Sequence, residues 1–285
     1  MAFLDFLQGL SLPLQLAAMV VINLAVGWLI VGLVRASFRR LGAEAANSPY
    51  VYELVTVISV LFALMLSFSA AGVWSDWVQA QNAVRREAMA LENVLGLTAG
   101  MAPDRAVKIR ERVFTYVRTA ADEEWPAMAR HADMDDPVFK VLDGTLADLT
   151  VELSRAIALG DASPITAMLL PQIFEVRSAR LARLTMADST VSGIQWLALL
   201  VLIVCLQVAI AILYNNDRRT QILAVNLVAI SAAAAFFVLV AQDRPFAGTV
   251  SVSPRSLLLL TAKALPEPEP PTSTGPRVAP VIRAE

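Results

Sequence analysis

The alternation of apolar and polar positions is most informative between Tyr50 and Leu97, where it changes character once without a break. The first half, VYELVTVISVLFALMLSFSAAGVW, is mostly apolar and carries no charge between Glu53 and Asp76, long enough to cross a bilayer as a helix. In the second half Trp77, Ala80, Val84, Ala88, Leu91 and Leu95 recur at steps of three and four, while Arg85, Arg86, Glu87 and Glu92 take other faces. That is the pattern of an amphipathic helix in water. Gly72 is the sole glycine near the junction and no proline separates the halves. They read as one helical rod about 70 Å long at 1.5 Å rise per residue, starting inside a membrane and ending outside it.

The remaining segments fall into place around this rod. Residues 1 to 13 contain Asp5 but no Lys or Arg, so the apolar run that follows lacks the basic leader of a signal peptide and suits a first span over residues 14–34. Trp28 near its end and Arg35, Arg39 and Arg40 just beyond supply an interfacial anchor and a charged stop. Asn47-Ser48-Pro49 turns the chain into the second span, residues 52–74. Glycines at 96 and 100 end the rod, and Pro103 opens the next helix. Ala106, Ile109, Val113, Tyr116 and Val117 keep helical spacing until Asp122-Glu123-Glu124-Trp125-Pro126, which is expected to break the helix. Val138, Leu142, Leu146, Leu149, Leu153 and Ile157 predict a further helix closed by Gly160. The next helix carries Leu169, Ile173 and Val176 on one side and Arg177, Arg180 and Arg183 on a drifting stripe. Residues 75–189 thus predict an antiparallel helical bundle. Apolar runs at 193–214 and 221–241 form the third and fourth spans, joined by the polar turn Asn215-Asn216-Asp217-Arg218-Arg219. A post-membrane segment, 242–262, is punctuated by Asp243, Arg244, Pro245, Phe246 and Gly248, and the proline-rich residues 263–285 predict a disordered tail. The expected fold class is all-α: an integral membrane protein with four transmembrane helices and a helical bundle inserted between the second and third.

Composition agrees. Of 285 residues 57% are hydrophobic and 17% charged, with a mean hydropathy of +0.60, which marks an integral membrane protein rather than a soluble enzyme. A net charge of −2 provides no basic excess for nucleic acid. The lone Cys205 rules out an intrachain disulfide. The span centres hold no Asp, Glu, Lys, Arg or His, which argues against a proton-coupled pump. Asn23, Gln207 and Asn226 read instead as interhelical hydrogen bonds. In the second span Thr56, Ser59, Ala63, Ser67 and Ala70 form a small, hydroxyl-bearing stripe. Close helix packing explains it, and so does a face gathered round a pore in an oligomer. Glu123, Glu124, His131, Asp133, Asp135 and Asp136 crowd one junction, but in no metal-ligand register, so they read as a solvated acidic loop and no metal site is predicted. No phosphate loop, nucleophile elbow or nucleophile with a base appears, so no catalytic residue, cofactor or enzymatic activity is expected.

Three stretches, LFALMLSFSAAGVWSDWVQAQNAVRREAMALENV, DEEWPAM and AQDRPFAGTVSVSP, occur in this order, and together they resemble the bestrophin-like family of bacterial membrane proteins, a family of unassigned activity. The resemblance covers nearly all of residues 14 to 262. That family is in turn distantly similar to bestrophins, pentameric anion channels with four spans and a helical domain between the second and third. Trp74-Ser75-Asp76-Trp77 resembles the aromatic exit of the bestrophin second helix, although the arginine that usually precedes it is missing. Pro245-Phe246 followed by Gly248 resembles the bestrophin Asn-Pro-Phe-Gly turn, but the acidic calcium clasp that follows in animal bestrophins is absent, so calcium gating is not implied. Helix correspondence would bring Val60, Leu64 and Phe68 to the apolar neck, where a ring could gate by dewetting; lipid or partner-helix contact explains the same residues.

The resemblance implies an oligomeric ion channel with a small ion as cargo. The alternative is a non-conducting membrane sensor or scaffold whose helical domain binds a partner. The expected surroundings are the lipid bilayer of a bacterial cytoplasmic (inner) membrane and further copies of the chain in a closed homo-oligomer that covers the small stripe of the second span. Arg35, Arg39 and Arg40 in one short loop and Arg218 and Arg219 in the other place both loops in the cytoplasm and the bundle outside, whereas bestrophins keep their domain in the cytosol.

Overall fold

The computed structural model describes residues 10–41, 49–130, 135–159, 164–248 and 250–264, and among these residues there is no strand. Nine α-helices occur among the described residues: α1 (Leu12–Leu41), α2 (Pro49–Thr98), α3 (Pro103–Thr119), α4 (Trp125–Ala129), α5 (Pro137–Ala158), α6 (Pro164–Ala187), α7 (Gly193–Leu213), α8 (Arg218–Gln242) and α9 (Arg255–Ala264). Four of them, α1, α2, α7 and α8, are long and apolar enough to cross a membrane. The helix starts are written locally. Asp136 accepts from the Val138 N–H ahead of Pro137, Ser192 and Gln195 form a reciprocal capping box, and Asp217 accepts from the N–H groups of Arg219 and Thr220.

Helix α2 is 50 residues long, about 75 Å at the standard rise, and it contributes to two separate hydrophobic cores. One joins α1, α7, α8 and a single face of α2 around Leu199, Ile203, Val225, Phe236 and Leu239. The other gathers the second half of α2 with α3, α5, α6 and α9 around Val84, Leu91, Val117, Leu142, Leu169 and Ile173. Within the first core α1 packs chiefly on α8 and α2 on α7; within the second, α2 lies along α6.

The α1–α8 contact is close at Gly27, where a Cβ would come within 2.8 Å of Val225 Cγ1. Polar groups reinforce it: Trp28 Nε1 donates to Asn226 Oδ1 at 2.9 Å, and Arg35 Nε donates to Gln221 Oε1 at 2.6 Å. Gln221 is itself fixed by donating to the Ala211 carbonyl at 2.6 Å. Asn226 is thus an interhelical partner, but Asn23 donates to the Met19 carbonyl of its own helix, and Gln207 Oε1 is buried without a partner among the described residues.

The expected break at residues 122–126 does not occur. The chain stays helical through a π-helical turn, Ala120–Glu124, closed by the Trp125 N–H bonding the Ala120 carbonyl. The turn absorbs one extra residue, and Pro126 falls in the first turn of α4, where its missing N–H costs nothing. The apolar patch at Leu257 to Leu260 is part of α9, with Leu257 and Leu260 buried. Asn47, Ser48, His131, Asp133, Gly160 and, from residue 265 onward, the tail lie outside the described residues.

Candidate functional site

The transmembrane half of α2 turns one face to its own chain. Val55, Ile58, Phe62, Met65, Leu66 and Ala70 pack against the first core, with Ser69 and Val73 buried beside them. Phe62 meets Phe236 edge-on at 6.1 Å, and Trp196 lies 6.2 Å from the same ring. At 100° per residue, Val60 and Leu64 project about 160° from Phe62 and Phe68 about 120° from it. All three are open, exposed by 53%, 51% and 71%. Only 6% of the most apolar stretch of α2 is buried inside the chain, against 33%, 44% and 33% in α1, α7 and α8.

The small stripe flanks this open face, between about 60° and 140° from Phe62. Thr56, Ala63 and Ser67 are exposed; Ser59 and Ala70 are half-buried. Its hydroxyls are already engaged: Thr56, Ser59 and Ser67 donate to the carbonyls of Tyr52, Val55 and Ala63, at 2.9, 2.6 and 2.7 Å. Satisfied within the helix, they leave a narrow surface of little polarity that another helix can approach closely.

Behind the rod lies a feature that the sequence reading missed. Arg180 and Arg183 are buried, and Glu87 and Glu124 are fully buried with them. Arg183 Nε donates to Glu87 Oε2 at 2.7 Å, and its Nη2 donates to Glu87 Oε1 at 3.0 Å and to Glu124 Oε2 at 2.6 Å. Arg180 donates to Glu124 Oε1 from Nε at 3.0 Å and from Nη2 at 2.6 Å, and also to the Phe139 carbonyl at 2.8 Å. Tyr116 donates its hydroxyl to Glu87 Oε1 at 2.6 Å. The Arg183 guanidinium carbon sits 4.4 Å over the Trp125 ring, a cation–π contact in a dry site. Two guanidiniums thus face two buried carboxylates and the charges balance. Burial alone would lower the Arg183 pKa, but Glu87 and then Glu124 outweigh it and hold the pKa above its ordinary value. Burial, and after it Glu87, raises the Tyr116 hydroxyl well above the usual tyrosine value.

The signal for this network was periodicity. Leu169, Ile173, Val176, Arg180 and Arg183 continue one stripe at steps of four and three, as do Val84, Glu87, Leu91 and Val94. Glu124 is therefore not part of a solvated acidic loop. Of its neighbours there, Asp135 pairs with Lys140 at 3.0 Å and Asp136 caps α5.

The post-membrane motif closes onto the same network. Trp125 donates its indole N–H to the Val252 carbonyl at 2.9 Å and meets Phe246 edge-on at 5.7 Å. The Val252 N–H donates to the Pro245 carbonyl at 2.7 Å, bringing Val252 back beside Pro245. Gly248 has φ +79°, a conformation that disfavours side chains. Asp243 accepts from the Val191 N–H at 2.7 Å, tying the end of α8 to the start of α7. Arg244, next along, is engaged as well. Val60, Leu64 and Phe68 are not brought together with the motif: they lie on the transmembrane half of α2, whereas Phe246 and Val252 belong to the second core.

Four long apolar helices, with a second helical core built on the extension of one of them, define an all-helical membrane protein of several spans. The chain belongs to the bestrophin-like family: the family model described as Bestrophin-like domain matches residues 18–257. Its fold is similar to that of a bacterial bestrophin homologue from Klebsiella pneumoniae. One single-residue variant of that protein matches at 15% identity over 87% of this chain and 98% of the other, with a TM-score of 0.66. A second variant matches at 14% over 87% and 99%, with a TM-score of 0.65. A structure described simply as that of a membrane protein is similar at 12% identity over 87% and 96%, with a TM-score of 0.65. At these identities the likeness is one of fold. No curated protein sequence matches the chain.

Proposed function

We propose that the protein is a homo-oligomeric, bestrophin-like ion channel of the bacterial inner membrane, with α2 nearest the symmetry axis and Val60, Leu64 and Phe68 lining an apolar neck. The observation that carries this reading is the bareness of the transmembrane half of α2: the helix joins both cores, yet its membrane-spanning stretch is the least buried of the four long apolar helices. A helix so placed is left open where further copies would meet it. The small stripe gives those copies a surface for close contact, and the three large apolar side chains on the far face suit a constriction that gates by dewetting. In this reading residues 75–189 form the extramembrane bundle between the second and third spans, and residues 242–262 lock it to the membrane half. Orientation follows the arginines of the short loops and leaves the bundle outside.

Planar bilayers and native mass spectrometry test the proposal together. Selective currents that change with Phe68→Ala, from a closed oligomer that Ser67→Leu weakens, are the expected result. A stable monomer removes the pore, and silence in every lipid favours a non-conducting sensor or scaffold. A cysteine introduced into the bundle after Cys205→Ser should react with an impermeant thiol reagent on intact cells; labelling only after permeabilisation reverses the orientation.

A further inference from the structure

At the short-loop end of the first core, α1 and α8 border an open cavity of about 600 Å³ lined by Trp28, Gly32, Arg35, Arg39 and Arg218 and otherwise by aliphatic side chains. Three guanidiniums share this wall, and among the described residues no carboxylate lines it. Arg35 is held in place, since its Nε donates to the buried Gln221, yet its Nη2 is shielded from solvent without an acceptor among the described residues. Trp28 is fixed by its bond to Asn226. Gly32 leaves room, because a Cβ there would meet nothing within 4 Å. The rest of the wall is apolar and borders the span itself.

We propose that this cavity binds the phosphate of an anionic phospholipid headgroup, with Arg35, Arg39 and Arg218 as its cationic partners and an acyl chain running down past Trp28 and Gly32. Guanidinium forks match phosphate oxygens geometrically and hold them by charge-assisted hydrogen bonds. A basic pocket between helices at the end of an apolar span is where headgroups are taken up. Free phosphate offers the same anion, but it would leave the apolar floor wet. The inference requires only that the four long helices sit in a bilayer, so it stands or falls apart from channel activity.

The test uses the full chain, delipidated in mild detergent. Phosphatidylglycerol, phosphatidylcholine and inorganic phosphate are added separately, and bound lipid is counted per subunit by native mass spectrometry alongside thermal unfolding. The expected result is retention of and stabilisation by phosphatidylglycerol at concentrations where phosphatidylcholine and inorganic phosphate do neither. Arg39→Gln/Arg218→Gln, at exposed positions, should weaken retention by about tenfold or more, since each charge-assisted bond is worth about that factor. Gly32→Leu should exclude the lipid by filling the cavity while unfolding at the unliganded temperature. Equal retention of phosphatidylcholine overturns the charge reading, and stabilisation by inorganic phosphate alone overturns the lipid. Undiminished phosphatidylglycerol binding in both variants overturns the site.

Discussion

Replacing Arg183 with Met removes the side chain that, alone among the described residues, hydrogen-bonds both buried carboxylates. In the native fold its guanidinium makes three hydrogen bonds of 2.6 to 3.0 Å to Glu87 and Glu124 and a fourth contact, 3.3 Å, to the Met128 sulfur. Glu124 keeps Arg180 afterwards, but among the described residues Glu87 keeps the Tyr116 hydroxyl alone. A carboxylate left in a dry core without its cation costs about 3–5 kcal/mol, a large part of the ~5–15 kcal/mol that holds a typical protein together. At ~2–4 °C per kcal/mol for a chain of this size class, the midpoint should fall by about 6–20 °C. Differential scanning fluorimetry in detergent reads this directly. The companion variant Arg183→Met/Glu87→Gln removes the orphaned charge and keeps an acceptor for Tyr116, so it should recover much of the loss. A double variant as unstable as the single one would refute the argument, because the cost would then lie in lost packing and not in an uncompensated charge.

Two further outcomes follow from the geometry. Gly27→Val thrusts a branched side chain into Val225, where even a Cβ stands at 2.8 Å; the overpacked α1–α8 contact should lose about 1–3 kcal/mol, read as a lower midpoint in the same melts, and an unchanged midpoint would show that the helices part freely. The pH dependence rests on Tyr116, whose proton is held more tightly folded than unfolded, by burial first and then by Glu87. Its contribution is therefore complete below the ordinary tyrosine pKa of about 10 and fades as pH rises above it. Midpoints should stay level from neutrality until that point and then decline, with Tyr116→Phe flattening the decline; an identical alkaline slope in the variant would refute the assignment.

How far the chain could be read depends on which rule governed each stretch. The apolar positions of α3, namely Ala106, Ile109, Val113, Tyr116 and Val117, are all buried, because for neutral side chains period and burial are the same statement. The same rule failed at Glu87, Glu124, Arg180 and Arg183. There the expectation that charge faces water overrode a register that pointed inward. Each charge is costly to bury singly, and only their mutual pairing, invisible along one helix, makes the burial tolerable. The break expected at Asp122 to Pro126 failed for a related reason: a proline is harmless in a first turn, and a π-helical turn can reset the register without leaving the helix. The bareness of α2 could not be read from sequence at all, since its apolar run looks like those of the other spans and only packing shows which partners it lacks.

The position of the ionic network implies a role that stability alone does not explain. Buried ion pairs contribute little over an apolar core of equal volume, and their best-attested use is to fix a register. Glu87 lies on the same continuous helix as Phe68, 19 residues further along, or about 28 Å. Sliding α2 by one turn against α6 would carry Glu87 about 5.4 Å from Arg183, a loss that apolar side chains would not register so sharply. The apolar replacement Glu87→Leu/Tyr116→Phe/Arg183→Met should therefore unfold near the native midpoint yet hold α2 less uniquely. Asn93 and Gln172 report the register, since they meet across α2 and α6 at the surface with a 3.0 Å hydrogen bond. In a Cys205→Ser background, a short bifunctional thiol reagent should join cysteines at 93 and 172 in the native network. It should leave cysteines at 89 and 172, one turn away, unjoined. In the apolar variant both pairs should be joined. If the variant joins only the first pair, the register is set by packing alone, and the buried charges have some other reason to be there.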